Sequence, residues 1–438
     1  MRAYAAPWVI TGTPGEPPLA AAAVVLDEAA RVVAVGSSAA LKKTYPLATW
    51  SDENAILLPG LVNAHVHLEL SKLRGETRSG GGFGPWVSSM MARREVLQPE
   101  QDAEAIDAAI SELLRAGTVA VGEISNTLAS VEPLGTAPLL GRVFHEVFGL
   151  RPEAESGMLA GARRARNAIA GWPANLSYAL APHTVYSLHA DSVRAIVAEA
   201  AERSVRTSLH LSEHAAERAF LHDGSGPFAD FLAQRGAPRG DFRAPGVSPV
   251  AYAEQLGVLG PQVIAVHLCA TQPDELARVR ASGCQVVLCP RSNLFIELKL
   301  PPLLDILQAG LLPGLGTDSL ASNTTLDVLA EAAALRDRFP QVDPGLLISM
   351  ATWYGAVALG LSHRVGALAA GLSPGLLAFD LERPVTDPLA YVLRAPPRPR
   401  RVLARPMVPS AGMPSAAMPG AASPSAARAL ATSLEESP

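Results

Sequence analysis

Near residue 57 the pattern of apolar and polar residues changes its period. Before that point the runs are short and strand-like. Residues 21–26 and 31–36 flank an Asp27-Glu28 turn and read as a hairpin. From residue 57 onward, apolar stretches of strand length alternate with amphipathic stretches of helix length. The spacing predicts strands over 57–67, 118–125, 142–149, 176–183, 206–213, 263–269, 285–293 and 312–319. Helices are expected between most of them, such as 101–115, 191–203, 274–281 and 303–309. Strands alternating with helices form parallel sheets, and eight such units are the content of a (β/α)8 TIM barrel. Further helices are expected over 326–339 and 344–361, and 375–380 reads as a strand returning to the N-terminal sheet. The α/β chain thus divides into a barrel over 57–362 and two flanks, 1–56 and 363–395, that build a small β-sandwich.

From about Pro396 the composition collapses into Pro, Ala, Ser and Met, which predicts a disordered tail over 396–438. Arg398, Arg400 and Arg401 cluster there and read as part of a solvated linker. Across all 438 residues, 49% are hydrophobic and 18% charged, enough apolar material for a large core. A net charge of -5 gives no electrostatic case for nucleic acid or an anionic membrane. The three cysteines, Cys269, Cys284 and Cys289, show no metal-type spacing, and Cys289 reads as a buried thiol beside a site. No apolar run of about 18 residues appears, and the start shows no signal-peptide pattern. The expectation is a soluble cytoplasmic protein.

Candidate chemistry begins where the first barrel strand ends. His65 and His67 are two residues apart, so on a strand both side chains point the same way. His210 closes the fifth expected strand and Asp318 the eighth, and in a closed barrel the eighth lies beside the first. Three neutral imidazoles and a carboxylate suit one divalent metal ion with a position left for water. Capping of the following helix is the alternative for Asp318. Glu213, three residues past His210, is placed to carry a proton, and His267 to stabilise developing charge. His183, at the end of the fourth strand, would face substrate. A structural hydrogen bond is the competing reading for each of the three. The fourth strand carries no lysine that could bridge two metals, so one ion is the economical expectation. A glycine-rich segment, 76–88, would drape over the mouth and bring Phe83 and Trp86 to a ring-shaped substrate.

The strings Pro59-Gly60-Leu61-Val62-Asn63-Ala64-His65-Val66-His67, His210-x-x-Glu213, His267 and Gly316-Thr317-Asp318-Ser319 resemble the amidohydrolase superfamily. More narrowly they resemble its branch of cytosine deaminases, chlorohydrolases and adenosine-type deaminases. The resemblance covers roughly 57–379 and implies His65, His67, His210 and Asp318 as ligands of one ion per chain, zinc first and iron the alternative. It implies Glu213 as proton shuttle, His267 as the electrostatic partner of the attacking hydroxide, Asp318 as a catalytic proton acceptor as well as a ligand, and His183 as a substrate contact. The strings His67-Leu68-Glu69-Leu70-Ser71, Cys289-Pro290-Arg291-Ser292-Asn293 and Asp318-Ser319-Leu320-Ala321-Ser322-Asn323 look most like aminodeoxyfutalosine deaminases of the futalosine route to menaquinone. That subfamily implies a purine-nucleoside-type substrate, with Glu69, Ser319 and Asn323 as further substrate contacts. A benzoate-bearing substrate needs a cation, for which Arg151 or Arg291 is the expectation and Arg74 a third candidate. A structural ion pair with Glu146 or Glu69 is the alternative for any of these arginines. Rival readings are a hydrolase acting on another amino-heterocycle, and a non-catalytic scaffold on the same fold. A homo-oligomer is left open.

Overall fold

The computed structural model describes residues 1–96, 100–149, 152–234 and 242–408. Its strands are β1 (Arg2–Val9), β2 (Leu19–Leu26), β3 (Val32–Ser37), β4 (Thr49–Asp52), β5 (Ala55–Leu58), β6 (Leu61–His67), β7 (Thr118–Ser125) and β8 (Leu140–Val147). They continue with β9 (Leu176–Pro182), β10 (Thr207–Leu211), β11 (Val263–His267), β12 (Gln285–Leu288), β13 (Gly314–Leu315), β14 (Asp318–Ser319), β15 (Leu376–Asp380) and β16 (Arg401–Ala404). The two flanks of the chain meet in one seven-stranded sheet of order β16-β15-β5-β1-β2-β3, with β4 on β1. The returning strand β15 runs antiparallel to β5, with Leu377 opposite Leu58.

The expected strand over 57–67 is in fact two. Residues up to Leu58 belong to the flanking sheet, and β6 starts at Leu61. Pro59 has no backbone N–H to give either sheet. At Gly60 a Cβ would lie 2.2 Å from Val119 Cγ1 and 2.6 Å from the Pro374 carbonyl oxygen, so only glycine passes there. The Pro-Gly pair is the crossing between the two sheets.

The remaining strands form two parallel arcs, β14-β6-β7-β8-β9 and β10-β11-β12-β13. On one side the arcs are joined by the chain itself, which runs from β13 through Gly316 and Thr317 into β14. On the other, the His210 amide donates to the His183 carbonyl at 3.0 Å, and Thr207 Oγ1 donates to the Leu180 carbonyl at 2.9 Å. Val62, Phe144 and Ala179 of one arc share a buried cluster with Ile264 and Val287 of the other. Each large side chain buried this way stabilises the fold by roughly 1.5–3 kcal/mol.

Three sequence expectations need correction. The seventh strand ends at Leu288, because Pro290 pre-sets a helical first turn and the helix Pro290–Glu297 takes Arg291, Ser292 and Asn293. The eighth breaks at Gly316, where a Cβ would sit 2.6 Å from His65 Cβ. The tail does not begin at Pro396. β16 pairs antiparallel with β15, and Arg401 reaches Asp380 at 2.6 Å and Glu53 at 2.8 Å, so edge hydrogen bonds and charge order a segment whose composition reads as linker. Residues 409–438 lie outside the described residues. Among the described residues, no helix is long and apolar enough to cross a membrane.

Candidate active site

His65, His67 and Asp318 are brought together by the pairing of β6 with β14, which sets Asp318 opposite Val66 and Ser319 opposite His67. Asn63 fixes that alignment. Its Nδ2 donates to Thr317 Oγ1 at 2.7 Å, and its Oδ1 accepts the Thr317 amide at 3.1 Å. Asp318 Oδ1 then lies 3.5 Å from His67 Nε2 and 4.0 Å from His65 Nε2. His210 Nε2 comes from the other arc to 3.4 Å from His67 Nε2. Asp318 adopts φ +58°, a left-handed conformation uncommon outside glycine, though aspartate tolerates it better than most, and concentrated at functional sites. Its second oxygen, Oδ2, accepts the Ser322 hydroxyl at 3.0 Å and the Ser292 hydroxyl.

This donor set fits a metal ion. Ligand atoms about 2.0–2.2 Å from one tetrahedral centre stand close to the separations seen here. Both ring nitrogens of His65 are buried without a hydrogen-bond partner, an arrangement that costs stability unless something else binds them. Burial first, and the neighbouring His210 second, hold the His65 imidazole well below its ordinary pKa. Burial, reinforced by His183, pushes His210 down to about 3. Neutral imidazoles are the form that ligates metal.

Beside this set, His267 Nε2 lies 3.6 Å from Glu213 Oε2. His267 is fully buried, takes φ +78° and has neither ring nitrogen hydrogen-bonded. Glu213, His267 and Asp318 each offer a donor atom within 4.8 Å of the others. Glu213 is held from behind. Its Oε1 is 3.2 Å from His214 Nε2, and His214 Nδ1 is 2.9 Å from Glu297 Oε1. Burial opposes ionisation of Glu213, but His214 and His267 outweigh it and hold the carboxyl well below its ordinary range. Burial likewise opposes charge on His214, yet Glu213 and Glu297 push its pKa up to about 10. The Glu217 carboxylate accepts the Glu213 and His214 amides at 2.7 and 3.0 Å. Sequence reading missed His214 and Glu297. The only signal for His214 was its place next to Glu213, and Glu297 had none.

His183 sits at the open side with 40% of its side chain exposed, its Nδ1 2.7 Å from Glu146 Oε1. Burial lowers its affinity for a proton, but Glu146 outweighs this and leaves the pKa raised. Glu146 also lies 3.4 Å from His210 Nδ1 and accepts Asn126 Nδ2 at 2.9 Å. Cys289 is buried with its sulfur among the donor atoms of His65 and His267, and burial drives its thiol well above its ordinary pKa. That matches the expected buried thiol. Glu123 serves the backbone, accepting the Leu68 amide at 3.2 Å.

The other expected substrate contacts are occupied within the protein. Glu69 accepts the amides of Asn126, Thr127 and Ala129 at 2.9, 3.0 and 3.1 Å, and the Ser125 hydroxyl. Asn323 Nδ2 donates to the Thr317 carbonyl and to Glu331 Oε1, both at 2.8 Å. Ser319 Oγ lies 3.3 Å from Ser322 Oγ. Arg291 donates to Asn323 Oδ1 at 3.1 Å and Thr324 Oγ1 at 2.6 Å, with Glu331 3.7 Å away. Its ion-pair partner is therefore Glu331, not Glu146 or Glu69. Arg74 donates to the Thr324 carbonyl at 2.7 Å and pairs with Glu112. Arg151 lies outside the described residues. The 76–88 segment is anchored rather than free. Gly80 and Gly82 amides donate to Phe295 and Ile296 carbonyls at 2.7 and 2.9 Å, and from Phe83 the chain is helical. Phe83 packs 4.9 Å from the His214 ring, and its amide donates to Glu297 at 3.0 Å.

Comparison with known proteins agrees with this geometry. The model of the Amidohydrolase family matches residues 56–408. An aminodeoxyfutalosine deaminase of Deinococcus radiodurans is 30% identical over 340 residues, 75% of this chain and 79% of the relative. A 5-methylthioadenosine/S-adenosylhomocysteine deaminase of Syntrophus aciditrophicus is 26% identical, over 82% of this chain and 79% of its own. Among solved structures, Helicobacter pylori aminofutalosine deaminase in complex with methylthio-coformycin superposes with a TM-score of 0.78 at 25% identity, covering 89% of this chain and 95% of that one. By sequence and by fold, this chain belongs to the amidohydrolase family, on its deaminase branch.

Proposed function

We propose that this chain is a metal-dependent deaminase of an adenine-type nucleoside, with 6-amino-6-deoxyfutalosine as substrate and futalosine plus ammonia as products. On this reading it belongs to the futalosine route to menaquinone. The observation that carries the reaction class is the convergence of His65, His67, His210 and Asp318 beside the Glu213–His267 pair. His65, His67, His210 and Asp318 would hold one divalent ion, zinc first and iron the alternative. Such an ion, when bound, lowers the pKa of water to about 7 and so supplies hydroxide at neutral pH. Glu213, kept ionised by His214, takes the water proton and delivers it to a nitrogen of the purine ring. His267, its ring nitrogens free, donates to the oxygen attacking C6; Asp318 accepts the second water proton from the hydroxyl now on C6, and that proton passes to the amine, which departs as ammonia while the C6 oxygen becomes a carbonyl. His183, its proton affinity raised by Glu146 and open to the mouth, contacts the substrate. We also read the two strand arcs as one closed (β/α)8 barrel and the flanking sheet as its small sandwich.

A second reading has support of its own. Arg291 is already bound to Asn323, Thr324 and Glu331, which leaves the benzoate-reading cation to Arg151. A nucleoside without a carboxylate, such as 5-methylthioadenosine or S-adenosylhomocysteine, needs no such cation, and relatives of that name match this chain. Ammonia release from aminodeoxyfutalosine, adenosine, 5-methylthioadenosine and S-adenosylhomocysteine decides between the two. A highest kcat/KM for aminodeoxyfutalosine supports the first reading. Turnover of the others without it supports the second, and no release from any of them removes both.

A further inference from the structure

The two carboxylate oxygens of Glu213 face different groups. Oε2 lies 3.6 Å from His267 Nε2, while Oε1 is turned to the other side, 3.2 Å from His214 Nε2. Behind His214 stands a second carboxylate. Glu297 Oε1 lies 2.9 Å from His214 Nδ1 and accepts the Phe83 amide at 3.0 Å. A line of three groups, Glu297–His214–Glu213, therefore runs from the anchored 76–88 segment to the proton shuttle. The reaction uses only its inner end.

Proton placement gives each member of the line a task. If Nδ1–H is donated to Glu297, a neutral imidazole turns a bare Nε2 lone pair to Glu213 Oε1, and two acceptors repel. The inner contact is a hydrogen bond only with a further proton, on Nε2 or on Glu213 itself. A charge on His214 has two opponents. The ring is buried, and it stands at the N-terminus of the helix Ala215–Asp223, where the helix dipole disfavours a cation. Among the described residues, the titratable groups facing it are Glu213 and Glu217 from its own turn, Glu297 from the helix Pro290–Glu297 and His267 from β11. Burial opposes its charge, and Glu213, Glu297 and Glu217 outweigh burial. Glu213 gives up its negative charge whenever it takes the water proton. Glu297 does not react, so its charge holds the imidazolium through that step.

We propose that Glu297 is a positioning residue of the deaminase site: through His214 it holds Glu213 Oε1 and leaves Oε2 as the oxygen that takes and delivers the proton. This rests on Glu213 being the shuttle. Glu297→Gln keeps the size and an acceptor for the Phe83 amide and removes the charge. The experiment is an NMR titration of the full chain labelled with carbon-13 in its ten histidine rings, the His214 signal being the one lost in His214→Gln. The wild-type ring should stay protonated to about pH 10. In Glu297→Gln its midpoint should fall by about one to two pH units, the worth of a charge-assisted hydrogen bond. Kinetics use whichever adenine nucleoside the wild type turns over. Glu297→Gln should keep its ion and its KM, lose about tenfold or more in kcat as misplaced groups do, and lower the alkaline limb of the kcat profile. Glu297→Asp, which restores the charge, should recover the midpoint and most of the limb. A wild-type midpoint near the ordinary 6.5, an unmoved midpoint in Glu297→Gln, or a moved midpoint with unchanged kcat overturns the proposal. Equal losses in the Gln and Asp variants with an unmoved profile also overturn it and leave Glu297 as an anchor of the 76–88 segment alone. No ammonia from any nucleoside with the wild type removes the deaminase assignment instead, and the His214 titration still decides whether Glu297 holds His214.

Discussion

The two walls of the candidate site are built differently. On the metal side, His65, His67, His210 and Asp318 stand on strands whose pairing fixes them, and Asn63, Ser292 and Ser322 lock the geometry from behind. On the substrate side, Glu69, Asn323 and Arg291 sit on turns and helix ends and spend their polar atoms on the protein's own backbone and on one another. Among the expected substrate contacts, His183 leaves 40% of its side chain exposed while its Nδ1 lies 2.7 Å from Glu146. The four candidate ligands are thus held by strand pairing, while the other wall is built from turn and helix-end residues, one of which, Asn323, is tied to Thr317 beside Asp318. Specificity set by loops on a fixed scaffold is the general habit of such folds.

The sharpest way to break this contrast is to empty the metal wall. Protein purified without chelator should carry about one divalent ion per chain, and His65→Ala with His210→Ala should carry none and release no ammonia. Elemental analysis checks both. Two equivalents in the wild type, or an ion retained by the double variant, would mean the ligand set is wrong. Next in size is Glu213→Gln, which should fold and keep its ion while losing about 10²–10⁴-fold in kcat, the range for a positioned acid–base group. A variant retaining a tenth of the wild-type rate assigns the proton to another residue.

The same contrast explains what could be read from sequence. A two-residue spacing on a strand is a local signal, so His65 and His67 were legible at once, and His210 and Asp318 followed from their place at strand ends. Ser292 falls within an expected strand, but Pro290 starts a helix there and turns the serine onto Asp318. Glu297 meets His214 across 83 positions of sequence, a contact without any periodicity to announce it. β16 was hidden by its proline-rich surroundings, because its order comes from the edge of β15 and from Asp380 and Glu53 rather than from its own composition.

On the substrate wall, smaller and more selective effects are expected. Arg151→Met should cut kcat/KM for aminodeoxyfutalosine by about 10–10²-fold and leave a decarboxylated analogue nearly unchanged, as loss of a charged hydrogen bond of ~1.5–3 kcal/mol implies. Arg291→Met should lower both substrates equally, because Asn323 and Glu331 lose their partner whichever ligand is bound. Selective loss in Arg291→Met would reverse that assignment and show that the arginine lets go of Asn323 when substrate enters.

The smallest effect concerns the support behind Glu213 and is read as stability. His214 bridges Glu213 and Glu297, and its pKa is pushed up to about 10 against an ordinary value near 6.5. A folded-state pKa above the unfolded one contributes stability that is fully present below about pH 6.5 and is lost as pH rises through about 10. His214→Gln keeps the size and a donor but not the charge. At pH 6 it should be less stable than the wild type by roughly 1.5–3 kcal/mol, the worth of a hydrogen bond to a charged group. At pH 10.5 the two unfolding curves should nearly coincide, because the wild-type imidazole has by then lost its proton. The Glu217 carboxyl, which burial raises to about 7 against the pull of the His214 charge, also titrates between the two pH values and is part of the measured difference. Urea unfolding of both chains at the two pH values measures the difference. A gap that stays constant would show that the His214 bridge is held by packing against Phe83 rather than by its charge.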